Sequence, residues 1–517
     1  MKVFIDTNVL IDVAVRIDKY PESLAVLNKL MALPDYSLWI SAISVNNIHY
    51  IVSKLENEVK ANKLLTMVRE NFSVIPFRKS TFAKIMDNAN PDFEDAIQMY
   101  SAQEMNMDCI ISRNPDDFIN SNIKVFTPSQ FLEQWSSGEF DKTHEVPFLD
   151  LKAQHHQTFN DIDDRFTDII ANTGFILGKY VDEFEKGFAK LHDAKYCIGV
   201  SSGTDALHVA MLSLGIGHGD LVIVPVNTFI ATAEPVSLCG AEPIFVDCDK
   251  YFNIDTAKLK SLIENMDKAK RKHLKAIVPV HLYGQPADMD EILKIANEYD
   301  LDVIEDACQA HIAEYKGRKI GTMGKFGAFS FYPGKNLGAW GEAGALITND
   351  EKLFLKSKQI RQHGEIKRYH HNVVGQNYRM SAFQGAVLSV KMKYIAKWTE
   401  KRKKNAELYR KYLDEIPEII LPEEKDGCAS VFHLFVIQTK DRDELQKYLQ
   451  ENGIASGLHY PVPLHLQEAY KFLGFKKGDF PVAEIASQRI LSLPMYPELS
   501  EYAIEYVCKK IAQWVRK

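Results

Sequence analysis

The fold of the larger part of the chain is decided by the stretch Val303-Ile304-Glu305-Asp306-Ala307-Cys308-Gln309-Ala310-His311. Its short apolar run, followed by acids and small residues, is typical of a buried strand and the turn after it. Open α/β sheets bind ligands at the carboxyl ends of their strands. The stretch therefore predicts either that Asp306 lies at a ligand-binding sheet edge or that it is an exposed loop acid.

Short apolar runs alternate with amphipathic stretches on both sides of this segment, from residue 196 to residue 347. This alternation is typical of strands and helices in a mostly parallel sheet. Strands are predicted at Cys197–Val200, Leu221–Val226, Pro243–Val246, Ala276–Val280, Val303–Ile304, Ala328–Phe331 and Ala345–Ile347. Helices are predicted at Ala206–Leu214, at Met289–Tyr299 and, as one long helix, from Arg379 to Lys411.

The length of 517 residues suggests two or three domains. Hydrophobic periodicity is interrupted between Gln134 and Val146, where small and polar residues predominate. We therefore predict a first domain over residues 1–134 and a linker over residues 135–145. A large domain over residues 146–385 and a small domain over residues 386–517 are predicted to follow.

The composition restricts the class of protein. With 46% hydrophobic and 25% charged residues, the chain is expected to fold and is not largely disordered. The net charge of −7 offers no bulk attraction to nucleic acid or to an anionic membrane. No apolar run approaches the length of a membrane span, and no secretion signal is apparent, so the cytoplasm is the expected location. The seven cysteines are scattered, which favours buried thiols over disulfides or a zinc site.

Three segments of the predicted large domain carry complementary chemistry. Val200–Leu207 ends a strand in small residues and begins a helix, so that it could hold a phosphate or simply cap the helix. The segment Glu305–His311 supplies a carboxylate, and Phe329–Gly338 places Lys335 in a turn bounded by glycines. A phosphate cradle, an acid for the pyridine nitrogen and an amine for a Schiff base are what pyridoxal phosphate requires.

From about residue 146 to residue 517 the chain resembles the DegT/DnrJ/EryC1/StrS sugar aminotransferases, a branch of the fold-type I pyridoxal phosphate enzymes. The resemblance is carried by Phe175–Gly178, Ser202–Leu207, Thr228–Glu234, Glu305–His311, Ser330–Gly338 and Gly375–Met380. It implies an α/β fold in which a mostly parallel large domain is followed by a smaller α+β domain. Because family members that are dehydratases have a histidine in place of the lysine, Lys335 favours transamination.

The same resemblance implies roles for individual residues. Lys335 would form the Schiff base and then move a proton, while Asp306 would pair with the pyridine nitrogen. The implied cofactor-binding residues are Gly203, Thr204, Phe229, Asp306, Gln309, Ser330, Lys335 and Asn377. Phe229 would stack on the cofactor ring or belong to the ordinary core. Asn377 would complete the phosphate site of a neighbouring subunit, which implies a homodimer.

The segment Gly457–Gln467 resembles the part of the family that aminates C3 of dTDP-linked 3-keto-6-deoxyhexoses. The implied product is a 3-amino-3,6-dideoxyhexose nucleotide for surface polysaccharide, in the galacto or the gluco configuration. The implied amino donor is glutamate. His459 is the expected catalytic residue of the segment. His459 and His465 would bond sugar hydroxyls or assist proton transfer, or they would be structural loop residues.

Residues 1 to about 134 resemble a PIN domain, through Phe4–Asp12, Ser41–Ser44, Asp92–Gln98 and Ile111–Phe118. The resemblance implies a Mg²⁺ or Mn²⁺ site formed by Asp6, Asp95 and either Asp92 or Asp117.

Two asparagines, Asn47 and Asn114, stand where the PIN family has acids. Because each removes ligand charge from a divalent-metal site, they favour a non-catalytic module. The alternative is a toxin-like, metal-dependent PIN ribonuclease whose large domain is regulatory, and RNA is an expected partner only in that case.

Overall fold

The computed structural model describes residues 1–32, 36–88, 92–136 and 145–516. Most of the predicted linker, residues 137–144, lies outside the described residues. The chain divides into two compact units. The first unit comprises Met1–His144 and Leu151–Asp161, and the second comprises Glu145–Asp150 and Ile162–Lys517.

The first unit is built around a five-stranded parallel sheet with the strand order β3-β2-β1-β4-β5. The strands are β1 (Lys2–Ile5), β2 (Ser37–Ser41), β3 (Phe72–Ile75), β4 (Cys109–Ile111) and β5 (Lys124–Phe126). The helices are α1 (Thr7–Val15), α2 (Pro21–Ala32), α3 (Ala42–Leu55), α4 (Glu58–Asn71), α5 (Lys79–Asp87), α6 (Phe93–Glu104) and α7 (Pro128–Ser136). The central strand β1 is almost entirely apolar and buried, as expected of a parallel strand covered on both faces.

The second unit contains a seven-stranded sheet with the order β6-β14-β13-β10-β9-β7-β8. The strands are β6 (Tyr196–Val200), β7 (Leu221–Pro225), β8 (Glu242–Val246), β9 (Leu274–Ile277), β10 (Asp302–Asp306), β13 (Phe326–Ser330) and β14 (Gly344–Thr348). Only β14 runs antiparallel to its neighbours. All seven predicted strands belong to this sheet, and the predicted α/β fold class is confirmed.

Smaller strands complete the second unit. They are β11 (Glu314–Tyr315), β12 (Arg318–Lys319), β15 (Glu365–Lys367), β16 (His370–His371), β17 (Cys428–Ala429), β18 (Phe435–Gln438) and β19 (Ile490–Leu493). The helices are α8 (Leu151–Asn172, which begins in the first unit), α9 (Lys179–Leu191), α10 (Gly203–Leu214), α11 (Glu234–Leu238), α12 (Thr256–Asn265), α13 (Lys268–Arg271), α14 (Met289–Glu298), α15 (Glu351–Arg361), α16 (Ala382–Lys391), α17 (Ile395–Leu413), α18 (Arg442–Glu451), α19 (Pro481–Arg489) and α20 (Glu501–Val515). None of the helices in the described residues is long and apolar enough to cross a bilayer.

The predicted single helix from Arg379 to Lys411 is wrong, because two helices, α16 and α17, occupy this region. At the junction Lys393 N donates to Val390 O at 3.2 Å, and Tyr394 N donates to Lys391 O at 3.0 Å. These bonds span three residues and tighten the chain out of the α-helical path. Helix α16 also crosses the predicted boundary at residue 385, so the division into a large and a small domain stays a prediction.

The large sheet is buried on both faces. Successive residues of one strand belong to different buried clusters, Val303 to one and Ile304 to the other, and Phe329 and Ala328 divide in the same way. This follows from the alternation of side chains along a strand. Because both faces are filled, polar groups can meet a ligand only at the strand ends, where Asp306 ends β10.

Candidate active site

A cavity of about 590 Å³ lies in the second unit, a volume typical of small-molecule sites. It brings together eight of the nine residues predicted for this unit: Gly203, Thr204, Phe229, Asp306, Gln309, Ser330, Lys335 and His459. The ninth, Asn377, is exposed and does not line this cavity. Its Oδ1 accepts a hydrogen bond from Arg379 Nε at 2.8 Å, and its role toward a second subunit stays a prediction.

One wall of the cavity is the amino terminus of α10. Ser202 caps the helix by accepting a hydrogen bond from Asp205 N at 3.1 Å. Within the described chain, the preceding amides, those of Gly203 and Thr204, donate to no other group. A Cβ atom on Gly203 would lie 2.6 Å from Ser330 Cβ, so this position has no space for a side chain. Two available amides at a helix amino terminus suit the phosphate of a bound group.

The Asp306 side chain is buried, with 5% of its surface exposed. Thr232 Oγ1 donates to its Oδ2 at 2.8 Å, and Cys308 N donates to its Oδ1 at 3.2 Å. These bonds orient the carboxylate and leave further lone pairs for the cation of a bound ring. The carboxylate therefore fits the pyridine nitrogen of pyridoxal phosphate.

The neighbouring acid, Glu305, stabilises the fold through hydrogen bonds of its carboxylate. Its carboxylate accepts hydrogen bonds from the backbone amides of Gly321, Met323 and Gly324, each within 2.7 Å. His281 Nε2 lies 3.2 Å from its Oε2. Since Glu305 and Asp306 point to opposite faces of β10, only one of the two acids is available at the cavity.

Lys335 lies in the turn after β13, and its side chain lines the cavity. Its Nζ forms neither a hydrogen bond nor an ion pair with any described residue. Burial lowers the pKa of Lys335, while Cys308 and Asp306 raise it by smaller amounts. The result is an amine with a larger neutral, nucleophilic fraction than a solvated lysine.

The turn that carries Lys335 is tightly held. A Cβ on Gly338 would lie 2.2 Å from Pro333 O, so only glycine allows this close backbone approach. From helix α16, the buried Lys391 Nζ donates to Gly338 O at 2.5 Å. These contacts fix the backbone on both sides of the reactive lysine.

Gln309 and two aromatic residues define another side of the cavity. Gln309 Oε1 accepts from Tyr283 N at 2.8 Å, and Gln309 Nε2 donates to Tyr460 Oη at 3.1 Å. The ring of Phe229 lies 5.4 Å from that of Tyr460, centroid to centroid. Phe229 is 51% exposed and faces the cavity, so it does not belong to the core.

The two histidines of the segment Gly457–Gln467 have different surroundings. His459 lines the cavity, lies 2.8 Å from Ser492 Oγ through its Nδ1 and stacks on Phe148 at 5.7 Å. Burial, assisted by Lys335, lowers the pKa of His459 to about 4, so its ring is neutral at physiological pH. His465 lies outside the cavity and is buried with its Nε2 3.0 Å from Glu484 Oε1, which fits a structural loop residue.

Sequence reasoning missed His433, which also lines the cavity, and Asn336, whose Oδ1 lies 3.2 Å from His433 Nδ1. The two residues are 97 positions apart, and no motif connects them. One signal was present, because His433 interrupts the apolar run Val431–Ile437. A lone histidine in such a run indicates a polar partner inside the fold.

The first unit places its predicted metal ligands near one another. Asp6 follows β1, is completely buried and accepts a hydrogen bond from Ser112 Oγ at 2.7 Å. Asp95 lies in the first turn of α6, whereas Asp117 is exposed in the 3₁₀ turn Pro115–Phe118. Burial, followed by the charges of Asp6, Asp92 and Asp117, raises the pKa of Asp95 to about 7.

These acids do not form a metal-binding group. Across the described ranges, no three His, Cys, Asp or Glu side chains are arranged to hold a metal ion. Another buried acid, Asp12, pairs with Arg113 at 2.9 Å and is therefore unavailable as a ligand. With Asn47 and Asn114 at two expected ligand positions, the donor set does not fit a catalytic divalent ion.

Comparison with known proteins agrees with both parts of this architecture. Residues 157–512 match the DegT/DnrJ/EryC1/StrS aminotransferase family, and residues 2–116 match a PIN domain. The second unit thus has the fold of a pyridoxal phosphate-dependent aminotransferase, and the cavity's lysine and buried acid lie within the matched residues. The chain belongs to the DegT/DnrJ/EryC1/StrS aminotransferase family and has a PIN domain at its amino terminus.

Similar proteins cover the second unit. The chain is 44% identical to a pleiotropic regulatory protein of Geobacillus stearothermophilus, over 72% of this chain and 99% of that protein. It is 40% identical to the dTDP-3-amino-3,6-dideoxy-alpha-D-galactopyranose transaminase of Aneurinibacillus thermoaerophilus, over 71% and 99%. It is also 40% identical to the UDP-N-acetyl-3-dehydro-alpha-D-glucosamine 3-aminotransferase of Acidithiobacillus ferrooxidans, over 71% and 97%.

Among solved structures, DesV of S. venezuelae in complex with a ketimine intermediate superimposes with a TM-score of 0.69 at 37% identity. The similarity covers 72% of this chain and 99% of that chain. Together with the named relatives, it supports sugar-nucleotide aminotransferase activity for this protein.

Proposed function

We propose that this protein transfers an amino group from glutamate to C3 of a dTDP-linked 3-keto-6-deoxyhexose. The product is a 3-amino-3,6-dideoxyhexose nucleotide for surface polysaccharide. The observation that carries the proposal is the meeting of Lys335, Asp306 and the α10 amino terminus at one cavity. The relative that forms a dTDP-3-amino-3,6-dideoxyhexose supports this sugar class.

Each element of the cavity has a defined task in this proposal. The amides of Gly203 and Thr204 bind the cofactor phosphate, and Asp306 holds a proton on the pyridine nitrogen. Bound pyridoxal phosphate supplies an electron sink for the substrate carbon that carries the amine. Phe229 covers one face of the ring and Gln309 orients its hydroxyl group.

Lys335 moves the proton. Because its Nζ has no competing partner among the described residues and its pKa is lowered, a neutral amine is available to accept a proton from the substrate carbon. The close approach of Gly338 to Pro333 O holds the backbone from which the Lys335 side chain extends. His459 is neutral and bonds to the sugar or assists proton transfer at its carbonyl oxygen.

We further propose that the active form is a homodimer. Asn377 is exposed and does not line its own cavity, which is the placement expected of a residue that completes a partner's site. Chromatography coupled to light scattering tests this proposal. A monomer with full activity would contradict it.

The test of the reaction uses amino-group labelling. The full chain with pyridoxal phosphate and ¹⁵N-glutamate is offered a dTDP-3-keto-6-deoxyhexose and a UDP-linked 3-keto sugar in competition. Mass spectrometry should find the label in the dTDP-linked product first. Label only in the UDP-linked product would overturn the nucleotide assignment, and label in neither would overturn the reaction.

The alternative function, a metal-dependent PIN-type ribonuclease with a regulatory large domain, has one supporting observation. Asp95 is close enough to Asp6, Asp92 and Asp117 for their charges to raise its pKa. The alternative predicts RNA cleavage with Mg²⁺ or Mn²⁺ that an Asp6→Ala variant loses. Because the donor set does not fit a metal, we expect no metal-dependent difference between the two proteins.

A further inference from the structure

The cavity wall contains a histidine whose backbone and ring are both fixed. The residue is His433, which precedes β18. The buried Arg402 Nη1 donates to His433 O at 3.3 Å, and also to Phe432 O at 3.2 Å and to Met495 O at 2.8 Å. The buried guanidinium therefore links the segment of Phe432 and His433 to Met495. Both His433 and Met495 line the cavity.

The hydrogen-bond network assigns the tautomer of His433. Asn336 Nδ2 donates to Val431 O at 3.0 Å, which identifies the nitrogen of that amide. Its Oδ1 is therefore an acceptor, and His433 Nδ1, 3.2 Å away, must be the donor. In a neutral imidazole with hydrogen on Nδ1, Nε2 can only accept.

The ring is neutral in this environment. Burial lowers the pKa of His433 well below its ordinary value, and the neighbouring Lys335 and Arg402 side chains lower it further. Within the described residues, Nε2 has no hydrogen-bond partner, and it is not among the side-chain atoms sealed from solvent. The cavity therefore contains a fixed acceptor that lacks a donor.

A ligand can supply the donor for this acceptor, because no described side chain, Lys335 included, is hydrogen-bonded to it. His433 and Lys335 line the same cavity, but no hydrogen bond joins them. Gln309, the residue assigned to the cofactor hydroxyl, has its own partners. The hydroxyl groups of a hexose are donors that the proposed sugar substrate brings into the cavity.

We propose that His433 Nε2 accepts a hydrogen bond from a sugar hydroxyl on a carbon that flanks the reacting carbon. His433 thereby becomes a residue that determines substrate specificity. The inference rests on the proposed function. A site that holds a fixed acceptor rejects an analogue without the matching hydroxyl, because the acceptor is then left unpaired.

Two variants separate the acceptor from the rest of the ring. His433→Asn retains a donor at the position of Nδ1, and so retains the bond to Asn336, but removes the acceptor at Nε2. His433→Gln reaches the position of Nε2 with an amide that offers a carbonyl oxygen. The exposed His273→Asn is the control for the chemical change itself. Thermal unfolding of all three proteins with pyridoxal phosphate bound identifies any variant that fails to fold.

Calorimetry on the full chain with pyridoxal phosphate bound measures the affinity for the aminated dTDP-sugar and for its 2-deoxy and 4-deoxy analogues. In the wild type, one analogue should bind about 10-fold more weakly, the value of one hydrogen bond of about 1.4 kcal/mol. The ratio of the affinity for the aminated sugar to that for this analogue should fall to about 1 in His433→Asn. It should recover in part in His433→Gln and stay unchanged in His273→Asn. A ratio that persists in His433→Asn, or that is absent from the wild type, would overturn the inference.

Half-reactions distinguish the remaining outcomes. If His433→Asn slows the glutamate half-reaction as much as the sugar half-reaction, Nε2 serves Lys335 and the inference is wrong. If the wild type binds no nucleotide sugar at all, the proposed function has failed and the inference fails with it. Binding by the wild type without a His433-dependent ratio overturns the inference alone.

Discussion

Each unit places an aspartate at the carboxyl end of a central parallel strand, yet the surroundings of the two side chains differ. Asp306 ends β10 near the middle of the seven-stranded sheet, and Asp6 follows β1 in the middle of the five-stranded sheet. Asp306 faces a cavity of about 590 Å³ that also contains the Lys335 amine. Asp6 is completely buried, and burial raises its pKa.

This difference shows that the sheet topology fixes where a carboxylate lies, whereas the neighbouring groups decide which chemistry it can carry out. A carboxylate at a strand end becomes a functional group through its neighbours. Asp306 has an amine whose pKa is lowered by burial, free helix amides and space for a ligand. Asp6 has Ser112 and a group of other acids that does not fit a metal. Changing one neighbour at a time shows how much each contributes to the chemistry of the aspartate.

The largest effect is expected for Lys335→Ala. Removing the amine should lower transamination by about 10⁴-fold, since in the proposed reaction the group accepts the transferred proton and, among the described residues, it is the only lysine that lines the cavity. Steady-state kinetics with glutamate and ketosugar measures this loss. The exposed Lys325→Ala serves as the matched control and should retain activity. Activity within 10-fold of the wild type would refute the role of Lys335.

Asp306→Asn should lower the turnover number by about 10² to 10³-fold. The amide can still accept from Thr232, but it carries no charge to hold a proton on the cofactor ring. Asp302→Asn, at the start of the same strand, is the control and should have a small effect. Equal losses in both variants would show that β10 stability, not charge, explains the result.

Gly203→Ala should weaken binding of pyridoxal phosphate by about 10-fold to 100-fold. A Cβ at 2.6 Å from Ser330 Cβ must push the helix amino terminus away from the phosphate, at a cost of about 1–3 kcal/mol. Titration of the cofactor-free protein measures the affinity. At Gly217 a Cβ would meet only Cys239 O, at 3.9 Å, so Gly217→Ala should bind normally. Unchanged affinity in Gly203→Ala would remove α10 from the cofactor site.

In the first unit, stability should depend on the ionisation of Asp95. Its pKa is about 7 in the folded state against 3.8 ordinarily, so its stabilising contribution is complete below about pH 4 and is lost as the pH rises through 7. Asp95→Asn should abolish this loss, stabilising α6 at pH 8 by about 1 kcal/mol after allowance for solvent screening. Hydrogen exchange of the α6 amides in the full chain measures the effect.

The same exchange experiment tests the metal question. Mg²⁺ or Mn²⁺ should leave the α6 amides of the wild type unchanged, because the acids do not fit an ion. Slower exchange with Mn²⁺ in the wild type, absent from Asp95→Asn, would show a metal site and revive the nuclease alternative.

Local sequence predicted the parts of the molecule that are decided by local chemistry. All seven strands of the large sheet were predicted, because each is a short apolar run between polar segments. Eight predicted residues meet at one cavity, and seven of them end or follow a strand of the large sheet, whereas His459 lies between α18 and β19. The break at Met392 was missed, since the apolar pattern continues through it and only hydrogen bonds over three residues reveal it.

Long-range contacts could not be predicted in the same way. Arg402 binds the carbonyls of His433 and Met495, and nothing in the sequence around Arg402 indicates a buried guanidinium. The acids of the first unit show the opposite case. The resemblance to PIN domains implied a metal site, but burial and orientation of side chains decide whether three oxygens converge, and across the described residues they do not.

The most direct test of the central claim is the absorption spectrum of the purified full chain with pyridoxal phosphate. We predict a band of bound cofactor that disappears when glutamate is added and returns when a dTDP-3-keto-6-deoxyhexose follows. A protein that acquires no cofactor band after pyridoxal phosphate is added would contradict the account. So would a band that glutamate leaves unchanged, and attention would then turn to the first unit.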